Sequence, residues 1–61
     1  MTIGISEQIE CVEREIRQRE RVYARLVSTG KMTPNKARRE TAAMEAVLET
    51  LRKVESGERL I

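Results

Sequence analysis

The chain has 61 residues, of which 36% are charged, and its net charge is only +2. It contains no His, Phe or Trp, one Tyr and one Cys. This excludes a histidine general base, an internal disulfide and a cysteine–histidine zinc cage. A chain this short holds at most one domain, and it leaves too much surface in water to be robust alone. Self-association is the remaining route to stability. No apolar run approaches membrane length. The opening MTIGISEQ lacks the basic-then-apolar pattern of a secretion signal. A cytoplasmic protein is the expectation.

In chain order, the first predicted element is a helix over about residues 6–29. Ser6 is a candidate cap, and Glu7 and Glu10 suit the positive end of the helix dipole. Ile5, Ile9, Val12, Ile16, Arg19, Tyr23 and Leu26 alternate in steps of four and three, a heptad seam. A turn over 30–33 follows. Gly30 suits the left-handed position past a helix end. Thr33 is a good N-cap, and Pro34 fits the first helical position after it. The second helix is expected from Pro34 to about Ser56, with Gly57 ending it. Ala37, Thr41, Met44, Leu48 and Leu51 continue the rhythm, with Ala43, Val47 and Val54 beside them. Two helices of similar length joined by a short turn make an all-α antiparallel hairpin. The flanks bring Ile3, Ile5, Leu60 and Ile61 to one end, where they are expected to cover one another.

The apolar positions of the second helix spread over about 160° at ~100° per residue, wider than one facing helix covers. The excess calls for a second partner, and another copy of the chain is the simplest. A four-helix bundle of two hairpins is therefore expected, with Met44, Val47, Leu48, Leu51 and Val54 as self-association residues.

The stretch REIRQRERVYARL holds five arginines. Arg14, Arg17, Arg21 and Arg25 fall within about 80° of one another, opposite the seam. They are either a solvated face supported by neighbours such as Glu10, or a ladder for phosphates or an acidic protein surface. Arg19 differs because it sits in the seam between Ile16 and Tyr23. A charge there needs a partner, expected in Glu40 or Glu45 across the hairpin. Its role is then either to fix register or to face a ligand, with Tyr23 and Thr41 as polar neighbours. Tyr23 is read as a core-edge residue or, alternatively, as a stacking platform. Cys11, flanking the seam with Val22, is read as a small apolar packer.

Charge is also uneven along the chain. From Arg14 to Arg39 there are nine basic and two acidic residues, a balance of +7; residues 1–13 carry −3 and residues 40–61 carry −2. The hairpin should have a basic turn end and an acidic open end. Lys31, Lys36, Arg38 and Arg39 surround the start of the second helix, where free N–H groups favour anions.

The segment ECVEREIRQRERVYARLVSTGKMTPNKARRETAAMEAVLETL, roughly residues 10–51, resembles a family of small helical proteins encoded in phages and prophages. The resemblance rests on VERE, RERVY, GKMT and the run Met-Glu-Ala-Val-Leu-Glu-Thr-Leu. It implies an accessory protein acting in the host cytoplasm by binding and inhibiting or redirecting a host regulatory or defence protein. The alternative it implies is a sponge for an anionic nucleotide signal. It carries no catalytic motif and no cofactor. A DNA-binding regulator is a third reading: Thr2-Ile3-Gly4-Ile5-Ser6 alternates like the strand of a ribbon–helix–helix protein, although the first helix is too long for that fold. No nucleophile–base pair, metal cluster or Gly-rich phosphate loop is visible, so an enzyme is not expected.

Overall fold

A computed structural model describes residues 2–59. They form two helices, α1 over Ile5–Ser28 and α2 over Pro34–Arg59, packed against each other as an antiparallel hairpin. Among the described residues there is no strand, and Ile5 and Ser6 lie in the first turn of α1. Residues 2–6 therefore do not form the short strand that the ribbon–helix–helix version of the DNA-binding reading needs. Leu60 and Ile61, expected to cover Ile3 and Ile5, lie outside the described residues.

The turn follows from local chemistry. Gly30 adopts φ 78°, a left-handed conformation that costs an L-residue with a Cβ. The Lys31 N–H donates to the Leu26 carbonyl at 2.8 Å and the Gly30 N–H to the Val27 carbonyl at 3.1 Å. These two bonds are a Schellman motif, which satisfies carbonyls that the end of α1 would leave orphaned. Thr29 Oγ1 donates to the Arg25 carbonyl at 3.0 Å. At the start of α2, the Lys36 N–H donates to Thr33 Oγ1 at 3.1 Å, so Thr33 is the N-cap and Pro34 the first helical residue.

Two boundaries differ from the sequence expectation. The N-cap of α1 is Gly4 in extended conformation, with no side-chain cap bond. Ser6 does not cap it; its hydroxyl instead donates to a Glu55 carboxylate oxygen at 2.9 Å, tying the open ends of the two helices together. Gly57 does not end α2, which continues to Arg59. Gly30 is the only glycine with positive φ among the described residues, so Gly57 keeps a helical backbone. No proline follows it to force a stop.

The seam lies where the heptad pattern puts it. Ile9 and Ile16 are the buried core, and Ile5, Val12, Arg19, Tyr23 and Leu26 are half-buried beside them. From α2, Ala37, Thr41, Met44, Leu48 and Leu51 are half-buried, and Glu55 completes the row. Among the described residues only Ile9 and Ile16 are buried, each still 8–9% exposed, a thin core for a helical domain. An ion pair spans the helices, from Arg52 Nη2 to Glu13 Oε2 at 2.8 Å. Its side chains are 57% and 36% exposed, so it guides register more than it stabilises.

Candidate interaction surfaces

Each broad side of the hairpin carries a groove between the helices. At about 100° per residue, positions on the same flank of the two seams share one side. On the first side, Ile3, Cys11, Val12, Val47 and Leu51 line an open groove of about 750 Å³ at the open end. Val22 and Val54 fall on the same flank by helical phase. Among the described residues, Ile3, Val22, Val47 and Val54 are the exposed large hydrophobics, each 44–46% exposed. Cys11 is exposed among them. A single exposed valine is unremarkable, but these residues share one side as an apolar stripe, rimmed at the open end by Glu7, Gln8, Glu10 and Arg14 and interrupted midway by Glu15 and Arg19.

This divides the expected self-association residues. Met44, Leu48 and Leu51 face α1 within the hairpin, while Val47 and Val54 stand on the free side. The expectation that Cys11 packs beside the seam is corrected: it is open to water, because at its phase it turns away from α2. Ile3, Cys11 and Val22 were not among the anticipated self-association residues. The common flank of Cys11 and Val22 on the helical wheel was the available signal for those two; Ile3 precedes α1 and has no helical phase.

Arg19 also lies toward this side. Its partner is Glu15, one turn earlier, with Arg19 Nη1 to Glu15 Oε2 at 2.6 Å. This replaces the expected pairing with Glu40 or Glu45. Glu40 is taken by Lys36 at 3.5 Å, whereas Glu15 stands four residues N-terminal to Arg19, the favourable orientation on a helix. The hydrogen bond that Arg19 donates to Glu15 is the main cause that raises the Arg19 pKa above its ordinary value; desolvation opposes it, and the charge of Glu15 and then Tyr23 add to it. Arg19 remains cationic at any physiological pH.

On the second side, at the turn end, Tyr23, Ala24, Val27, Ala37, Thr41 and Ala42 line a groove of about 780 Å³ with Arg38 and Glu45 at its margin. It brings together Tyr23, Thr41 and Arg38. Arg19 does not line it, so the expected constellation of Arg19 with Tyr23 and Thr41 is not assembled there.

The other candidate cations are exposed: Arg14, Arg17, Arg21 and Arg25 on α1, and Lys36, Arg38 and Arg39 on α2. Lys36 pairs with Glu40, and Arg38 donates to Asn35 Oδ1. Among the described residues, no carboxylate stands within ion-pair distance of Arg14, Arg17, Arg21, Arg25, Lys31 or Arg39. Glu10 therefore does not support Arg14 or Arg17, since water outcompetes an exposed pair worth ~0.3–0.5 kcal/mol. The first turn of α2 holds no acidic residue, so the positive end of its dipole is uncompensated there. The turn end is a cationic pole.

Among the described residues, no group of three or more Cys, Asp or Glu side chains could hold a metal ion. No described helix is long and apolar enough to cross a membrane. Comparison of the chain with protein-family models, curated proteins and solved structures finds no match.

Proposed function

We propose that this chain is a non-enzymatic, phage-encoded accessory protein. It works as a homodimer of hairpins, a four-helix bundle, and acts by binding and inhibiting or redirecting a host regulatory or defence protein. The observation that carries this reading is the free apolar side: Ile3, Cys11, Val22, Val47 and Val54 remain exposed while, among the described residues, only Ile9 and Ile16 are buried. A hairpin with so thin a core gains most by covering that side with another helical surface. The host partner is then met by the cationic pole, where Arg21, Arg25, Lys31 and Arg39 stand without carboxylate partners. Such a pole selects acidic protein surfaces and speeds encounter with them.

A second reading is favoured by the same unpaired cations and by the groove holding Tyr23 and Arg38. In it, the bundle sequesters an anionic nucleotide, its phosphates on the arginines and its base against the ring. A native mass spectrum of the protein purified gently from host cells separates the two. A dimer, bare or with a protein subunit attached, supports the first reading. A dimer carrying a few hundred extra daltons, about one nucleotide per site, that are lost at high salt would replace it with the second.

A further inference from the structure

The proposed dimer leaves open how one hairpin sits on the other, and the geometry of the free side points to one arrangement. We infer that the second copy docks on the Ile3–Cys11–Val22–Val47–Val54 side with its turn end over the first copy's open end. The inference rests on the dimer reading above.

Register within the hairpin comes first. Arg52 reaches Glu13, and Ile16 shares a groove with Leu48. Val47 therefore stands level with Ile16 and Arg17, near the middle of the hairpin. A twofold axis lying in the free side, crossing the helices at that level, stacks α1 on the α1 of the second copy and α2 on its α2, both antiparallel. Val47 then meets its own copy. Cys11, about six residues below the axis, meets Val22 of the second copy, about as far above it. Glu15 meets Arg19 of the second copy, and Arg19 meets its Glu15. The pair that occupies the middle of the free side is thereby reused across the interface instead of being buried without a partner.

Charge favours the same arrangement. The half of the hairpin nearest the turn, residues 15–48, holds eight basic and four acidic residues, +4. The rest of the chain holds four basic and six acidic residues, −2. Antiparallel docking sets each basic half on an acidic half. The alternative, with both turns at one end, stacks α1 on the α2 of the second copy and places +4 beside +4. The broad side measures about 48 by 21 Å, ample for the ~800 Å² per partner that a standard interface uses.

Disulfide trapping tests the arrangement. The Cys11→Ala, Val47→Cys variant places one thiol per chain on the axis. Val22→Cys, keeping Cys11, sets two thiols per chain opposite each other across the axis. The separation along one helix prevents either variant from closing a bridge within the chain, because Cys11 and Val22 lie ~16 Å apart along α1. Both variants should be dimers when reduced and should become almost wholly covalent dimers on mild oxidation. The wild-type chain should stay uncrosslinked, since its two Cys11 residues also lie ~16 Å apart along the bundle. Dimers that stay uncrosslinked in both variants would overturn the antiparallel arrangement and leave the dimer standing. Reduced variants and wild type that are all monomeric would overturn the dimer as well, and the free side would belong to a foreign helix.

Discussion

Val47→Glu is the sharpest single perturbation of the free side. Val47 is 46% exposed in the hairpin, so about half of its side chain still has water to lose. Covering that half yields ~1 kcal/mol of the ~1.5–3 kcal/mol for full burial of an aliphatic chain, or ~2 kcal/mol for both copies. The substitution removes this gain. It also sets two carboxylates against each other at the twofold, adding ~2–4 kcal/mol of repulsion at the effective dielectric of a partly wet site. A total of ~4–6 kcal/mol corresponds to a dimer Kd raised by about three to four decades. The substitution spares the contacts within the hairpin, because Val47 does not face α1, so any helicity lost with it reports the lost dimer. Sedimentation equilibrium over a dilution series reads the Kd of both proteins. A Val47→Glu chain that dimerises as tightly as wild type would refute the assignment of this side as the interface.

Three further outcomes follow from the fold. Gly30→Ala forces a Cβ into a left-handed backbone at φ 78° and should cost ~1–2 kcal/mol, seen as a lowered Tm by circular dichroism. Gly57→Ala should do the opposite: with helical φ and nothing within 4 Å of the added Cβ, it should stabilise by ~0.5–1 kcal/mol; a destabilised variant would mean that Gly57 ends the helix after all. Arg19→Leu should raise the Tm of the hairpin in the Val47→Glu background, because an apolar side chain suits the seam better than a half-exposed ion pair. In the wild-type background the gain should shrink, since Arg19 would also leave Glu15 of the second copy unpaired.

Much of the hairpin was legible because its signals are local. A left-handed glycine, a threonine cap and a proline at the first helical position each act within one turn of chain, and Gly30, Thr33 and Pro34 do what their types suggest. The seam was legible because two helices joined by a short turn must face each other along their apolar stripes. The failures are just as physical. Ser6 was a plausible cap until Glu55 across the hairpin offered its hydroxyl a stronger, charged acceptor. Arg19 was matched with carboxylates on the facing helix, but Glu15 one turn away reaches it without crossing the seam. The division between Leu48 and Val47 depends on the rotation of α2 about its own axis. Adjacent apolar residues on a broad stripe do not determine that rotation, so the flank shared by Cys11 and Val22 was visible in the sequence, but the degree to which Val47 is left in water was fixed only by the packed helices.

The central claim is that this hairpin completes its core with a copy of itself. Sedimentation equilibrium of the purified wild-type chain, with helicity followed on the same samples, tests it most directly. The account predicts a species of twice the 7.0 kDa chain mass at micromolar concentration, losing helicity as dilution dissociates it. A fully helical monomer of 7.0 kDa throughout that range would contradict it.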